Sequence, residues 1–181
     1  MRVGMNRRQA FGGFALTFGA VSFGLTTQAR AAVLGWAPTA LTAEQARALD
    51  AAAELIVPAT DTPGARAAGV PQFVDRTIGG WCDPAQAALL RSGLDRLDTD
   101  ARAAGGAAFA DLAPAQQGAI LAGYEATGSA QRLFFSTLRD LVTTGYFTSK
   151  PGATLALRYD PVPGAYHGCV PLKTIGRAWA T

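Results

Sequence analysis

The stretch S-A-Q-R-L-F-F-S-T-L-R-D-L-V-T-T-G, residues 129–145, decides the fold class. Phe134, Phe135, Leu138, Leu141 and Val142 recur at three- and four-residue spacings, which sets them on one stripe of an α-helix. Gly145 is expected to close that helix as a C-terminal cap residue. This is the most strongly apolar helical pattern of the chain once its N-terminal thirty residues are set aside. A stripe this wide needs neighbours on several sides, so the helix is expected at the centre of a bundle.

Working outward, the upstream sequence supplies those neighbours. Thr42-Ala43-Glu44-Gln45 fits a capping box, with Thr42 as N-cap, Gln45 three residues on and Leu41 just before the cap. A helix is expected from there to about Val57, with Leu49, Ala53, Ile56 and Val57 on its apolar face, and Pro58 ends it. The loop P-A-T-D-T-P-G-A, residues 58–65, is dense in turn formers, and Asp61 is expected to bond nearby backbone amides. Val70-Pro71 opens a short helix that turns Phe73, Val74 and Ile78 inward, and Gly79-Gly80 stops it with Trp81 packed beside the stop. Asp83 as N-cap and Pro84 at the first helical position begin the longest helix, whose buried stripe is Leu90, Leu94, Leu97 and Ala101. Gly105-Gly106 closes it. Pro114 begins a further helix, with Ile120, Leu121 and Tyr124 as core contacts and with Gly123 and Gly128 weakening it.

After residue 145 the chain changes character. Tyr146-Phe147 is followed by S-K-P-G, a segment Leu155 to Tyr159 of strand-like composition, and D-P-V-P-G-A-Y-H-G-C-V-P. Four prolines and three glycines from Pro151 to Pro171 forbid a long helix. The fold class is therefore mainly α, a small helical bundle with an extended Pro/Gly-rich C-terminal segment. Two readings of that segment stay open: it docks on another protein with little entropy lost, because prolines have already ordered it, or it wraps the domain's own core.

The N-terminus reads as an address. Arg7-Arg8 stands in N-R-R-Q-A-F, followed by a mildly apolar, glycine-bearing stretch from about Phe11 to Leu25 and by Ala29-Arg30-Ala31. This is the pattern of a twin-arginine export signal with cleavage expected after Ala31, and its apolar run falls short of the ~20 residues a spanning helix needs. Residues 1–31 are thus read as signal and residues 32–181 as one helical domain, exported folded to the periplasm. The 16 Lys+Arg include four in the leader, Arg2, Arg7, Arg8 and Arg30, which leaves 12 against 13 Asp+Glu. The basic pI belongs to the leader, and the domain offers no electrostatic reason to bind nucleic acid or anionic lipid.

Cys82 and Cys169 both lie in the exported part, where a disulfide can persist. An internal bridge would close a loop of almost ninety residues and constrain the unfolded chain by roughly 4–5 kcal/mol in the chain-entropy model. Two unpaired thiols, or a bond from one cysteine to a partner, remain open beside it.

The residue types exclude several chemistries. His167 is the single histidine, which excludes a histidine-rich zinc site, and no C-x-x-C-H segment exists for covalent haem attachment. Neither a G-x-G-x-x-G after a strand nor a phosphate-binding P-loop is present, so a bound flavin or nucleotide on this chain is not indicated. His167 and Cys169 stand two residues apart on a loop, but no Cys-His sequence signature supports a thiol nucleophile with its base, and cysteine in an exported protein is more often bridged than nucleophilic. Asp61 reads as a backbone-bonding turn residue in preference to a catalytic carboxylate or metal ligand. No catalytic, cofactor-binding or metal-binding residue is assigned.

Taken together, the twin-arginine leader, I-V-P-A-T-D-T-P-G-A, A-A-G-V-P-Q-F-V-D, F-F-S-T-L-R-D-L-V-T-T-G-Y-F-T-S and R-Y-D-P-V-P-G-A-Y-H-G-C-V-P resemble the small subunit of gluconate 2-dehydrogenase over roughly Leu49 to Pro171. The resemblance implies a non-catalytic subunit of a membrane-associated periplasmic complex that oxidises sugars, sugar acids or polyols. FAD would sit on a large subunit and haem c on a cytochrome subunit, with this chain assisting folding, assembly and co-export through the twin-arginine translocase. Phe147, Tyr159, Pro163, Gly164 and Tyr166 on the ordered tail are the expected partner contacts. The rival readings are a stand-alone exported enzyme and an envelope structural protein.

Overall fold

The computed structural model describes residues 34–126, 128, 130–162, 164–165 and 168–180. The signal residues Arg7, Arg8, Ala29 and Ala31, and the tail residues Pro163, Tyr166 and His167, lie outside the described residues. The unit from Pro38 onward is built from α1 (Ala43–Ile56), α2 (Val70–Gly80), α3 (Pro84–Gly105), a 3-10 turn (Phe109–Asp111), α4 (Pro114–Ala126), α5 (Ala130–Phe147), one turn of π-helix (Gly152–Ala156) and the short α6 (Leu172–Ile175). It is a helical bundle, and α5 packs against α1, α2, α3 and α4. Phe134, Leu138 and Val142 are fully buried at its middle, so the stripe that predicted a central helix lies in the core.

The local start signals hold. Thr42 Oγ1 accepts from Gln45 N (3.2 Å) and Gln45 Oε1 accepts from Thr42 N (3.1 Å), the two halves of the capping box. Asp83 accepts from Gln86 N at 2.8 Å, and α3 ends at Gly106 with φ +72°. Leu90, Leu94, Leu97 and Ala101 are all buried.

The segment entering α1 is held by a residue on α2. Asp75 is buried, and its carboxylate accepts from Thr39 N (2.8 Å), Thr39 Oγ1 (2.7 Å), Ala40 N (3.0 Å) and Leu41 N (3.0 Å). Three backbone donors that no helix can satisfy thereby find an anionic acceptor, and charge-assisted bonds of this kind are among the stronger ones. A second buried acid, Asp98, accepts from Phe109 N (2.8 Å), while Gln117 Nε2 donates to Phe109 O (2.8 Å). Both polar groups of that backbone unit are satisfied, so the Phe109 ring enters the core at no hydrogen-bonding cost.

Three expectations are corrected. Gly145 does not cap α5, which continues to Phe147. It is a contact glycine, because a Cβ at that position would come within 2.6 Å of Phe73 Cδ1 where α2 and α5 meet. Trp81 does not pack beside the end of α2 but is 88% exposed, while Ile78 before the turn and Leu90 after it are buried. Residues 155–159 do not form a strand. The turn of π-helix takes Gly152 to Ala156, with Leu157 N donating to Gly152 O (2.9 Å), because Gly152 lies so close to the Tyr146 carbonyl that the chain coils back on the end of α5. The described residues contain one isolated parallel bridge, Arg158 with Trp179, and no strand.

The P-A-T-D-T-P-G-A loop is well ordered, by a different residue than expected. Asp61 Oδ1 accepts from the Thr60 hydroxyl (2.9 Å), and it is Glu54 that binds the loop backbone, accepting from Ala59 N (3.3 Å) and Arg66 N (2.8 Å). Tyr146 OH donates to Pro63 O at 2.9 Å and ties the loop to α5.

Candidate partner-binding surface

Among the described residues the buried apolar core ends at Tyr146. Beyond it most large apolar side chains turn outward: Phe147 is 41% exposed, Tyr159 57% and Val162 79%, with Leu155, Leu172 and Trp179 also exposed, while Leu157 and Ile175 are half-buried. Of the two readings left open for the tail, wrapping the core does not describe these side chains.

Phe147 projects from the last turn of α5 and packs edge-on against Tyr146, the ring centroids 5.3 Å apart. Tyr146 is itself anchored by Pro63, so Phe147 is held by a rigid neighbour. Downstream, the tail closes on itself. Arg158 N donates to Ala178 O (2.8 Å) and Ala180 N to Arg158 O (2.9 Å), and the Arg158 guanidinium lies 4.4 Å from the Trp179 ring centroid. Arg158 Nη1 also reaches Ile175 O (3.3 Å), and Arg177 Nη1 donates to Leu155 O. Cation–π stacking with paired backbone bonds brings residues 158 and 179 together across the proline-rich loop. Gly164 turns that loop with φ +72°, a conformation that glycine adopts without strain. The predicted contacts Phe147, Tyr159 and Gly164 thus lie on one outward segment. Arg158, Trp179, Leu155 and Leu172 join them, unforeseen, because a pairing across twenty-one residues has no period to reveal it.

Both cysteines are free thiols. Cys82 is half-buried in the α2–α3 turn, and burial, reinforced by the neighbouring Asp83, pushes its thiol above the usual range and away from thiolate chemistry. Cys169 is exposed on the tail with φ +58°, a left-handed conformation that costs a non-glycine residue roughly 1 kcal/mol.

A shallow cleft of about 160 Å³ opens between α3, α4 and α5, lined by Ser92, Gly93, Arg96, Tyr124, Gln131 and Phe134 among others. Asp100 accepts there from Tyr124 OH (2.7 Å) and Arg96 Nε (2.8 Å). Burial alone would raise the Asp100 carboxyl, but the two donors outweigh it and hold it below the usual carboxylate range. Burial, and then the Asp100 bond, push the Tyr124 phenol well above its ordinary value. The cleft is smaller than the roughly 300–1,000 Å³ of small-molecule and cofactor sites, and Arg96 and Tyr124 in its lining are both engaged by Asp100. Among the described residues no group of three His, Cys, Asp or Glu side chains is placed to hold a metal ion. No described helix is long and apolar enough to cross a membrane.

A family model described as gluconate 2-dehydrogenase subunit 3 matches residues 43–164, from the first residue of α1 to the tail turn at Gly164. The chain belongs to this family. As a gluconate 2-dehydrogenase subunit 3 protein it is by membership a subunit of a multi-subunit dehydrogenase. The matched region takes in the whole bundle and the first limb of the tail, Phe147 to Gly164. It begins six residues before, and ends seven before, the resemblance read from the motifs. No curated protein and no solved structure matches the chain.

Proposed function

We propose that this chain is the non-catalytic small subunit of a flavin-dependent dehydrogenase complex acting on sugars, sugar acids or polyols. It binds the flavin-bearing large subunit in the cytoplasm, supports its folding, and supplies the twin-arginine signal for their joint export to the periplasm. FAD on the large subunit and haem c on a cytochrome subunit perform the redox steps, and the complex holds this chain at the membrane. The observation that carries the reading is the outward apolar segment from Phe147 to Trp179, ordered by its own bonds and lying outside the core. Exposed large apolar side chains gathered on one segment of this kind mark an interaction site.

Co-expression with candidate dehydrogenase large-subunit genes tests the assignment. A yellow flavoprotein is expected to copurify with the full chain in stoichiometric amount, whereas a colourless solitary monomer would contradict the subunit reading. Changing Arg7 and Arg8 to lysine is expected to leave at least nine-tenths of the dehydrogenase activity in the cytoplasmic fraction, by the receptor-read nature of such signals. Normal periplasmic activity in that strain would remove the carrier role while leaving subunit membership intact.

A further inference from the structure

The charges of this chain are segregated in a way the family assignment does not explain. Residues 38–146 carry twelve Asp and Glu against eight Arg, whereas residues 147–180 carry Lys150, Arg158, Lys173 and Arg177 against Asp160 alone. Much of the bundle's charge is consumed internally, in the pairs Arg47–Asp111, Arg66–Asp50, Arg96–Asp100, Arg102–Asp98 and Arg139–Glu125, and in the Asp75 latch. Among the described residues none of these ion pairs involves a cation of the tail. Arg158 is engaged by Trp179 and the Ile175 carbonyl, and Arg177 by the Leu155 carbonyl, partners that carry no countercharge.

We infer that the described residues between Phe147 and Trp179 form a preformed cationic and aromatic clasp that docks onto an acidic face, apolar at its centre, of the flavin-bearing large subunit. The inference rests on the subunit reading above and adds the surface and the chemistry of its counterpart. Three observations select that occupant. The family match runs on past the bundle through Leu155, Tyr159 and Val162 to Gly164, so the apolar limb is part of the module that defines the family and its partner is the one implied by membership. The clasp is closed by the Arg158 and Trp179 contacts rather than by burial in the core, which lowers the ordering cost of docking. Finally, the charge disfavours a bilayer, because an anionic surface drawn to the tail would repel the acidic bundle beside it. Positive rim residues around an apolar centre steer association with an acidic counterpart and set its salt dependence.

The test uses the full chain co-expressed with the large subunit, in wild-type form and as Lys150→Glu/Lys173→Glu, positions that leave the Arg158–Trp179 closure intact. Tyr159→Ser/Leu172→Ser removes apolar contact without changing charge. Wild-type chain is expected to retain the flavoprotein at low salt, with affinity falling roughly tenfold between 0.1 and 0.5 M NaCl. The charge-reversed variant should bind at least tenfold more weakly and lose most of that salt dependence, and the serine variant should bind more weakly at every salt concentration. Thermal melts matching the wild type verify that the bundle is intact in both. Undiminished flavoprotein capture by both variants would overturn the docking surface while the subunit reading stands. Failure of the wild type to capture any flavoprotein would instead overturn the subunit reading. Binding to phosphatidylglycerol vesicles, or self-association in sedimentation, that is lost in the charge-reversed variant while flavoprotein capture is unchanged would transfer the surface to a membrane or to a second copy and overturn the proposal.

Discussion

Asp75→Ala is expected to lower the free energy of unfolding by about 3–5 kcal/mol, a large fraction of the stability of a domain this size. The loss has two parts. Thr39 N, Ala40 N, Leu41 N and the Thr39 hydroxyl lose their common acceptor, and the buried amide of Leu41 has no helical carbonyl to turn to. Thermal unfolding followed by circular dichroism should show a midpoint lower by on the order of 10 °C. Asp75→Asn is the informative companion, because it keeps volume but turns one acceptor into an NH2 group facing amide donors. It should recover little of the loss. An alanine variant within about 1 kcal/mol of the wild type would mean that water can satisfy these amides and that the latch is dispensable.

The second large effect concerns Gly93. In a helix interior, glycine to alanine ordinarily stabilises by roughly 0.5–1 kcal/mol, because alanine loses less backbone freedom. At Gly93 the sign should reverse. A Cβ there would overlap the ring of Phe134, which is fully buried and held edge-on by Tyr124 with centroids 6.2 Å apart. Overpacking a core typically costs about 1–3 kcal/mol, so Gly93→Ala is expected to destabilise by that amount net of propensity. Gly123→Ala on α4 supplies the contrast, since nothing lies within 4 Å of its Cβ position and the ordinary gain of about 0.4–1 kcal/mol should appear. Combining Gly93→Ala with Phe134→Leu should recover part of the loss, as a coupling measurable in a double-mutant cycle. Stabilisation by Gly93→Ala would show that the Phe134 ring yields easily and that α3 and α5 are not in close contact there.

These two residues also mark where sequence reasoning reaches its limit. The capping box at Thr42 and Gln45, the Asp83-Pro84 start and the stripes of α3 and α5 were legible, because each is fixed by residues within a turn or two of one another. Asp75, Gly93 and Gly145 were not. An aspartate inside a short amphipathic helix reads as a solvated residue until a segment thirty-five positions upstream folds over it. Gly145 was taken for a stop signal because glycine both ends helices and lets them approach, and only the position of Phe73 separates the two roles. The same ambiguity hid the tail. Its composition was legible as extended and aromatic-bearing, and Phe147, Tyr159 and Gly164 do face outward. Its closure, however, depends on Arg158 meeting Trp179, a tertiary event with no local signature. Trp81 failed for the opposite reason, since a large aromatic beside a helix end is normally buried and here the ring stands in solvent while Ile78 and Leu90 are buried.

The Asp75 latch has a mechanical consequence. Within the unit that begins at Pro38, traction on its leading end meets Thr39–Leu41, where the polypeptide is fastened to the side of α2 by four bonds converging on one carboxylate. The pulling force is therefore delivered to a clamp loaded all at once, and the first turn of α1 lies behind it, sheltered from being peeled residue by residue. A domain drawn forward by its leading end would keep its fold until that clamp gave way.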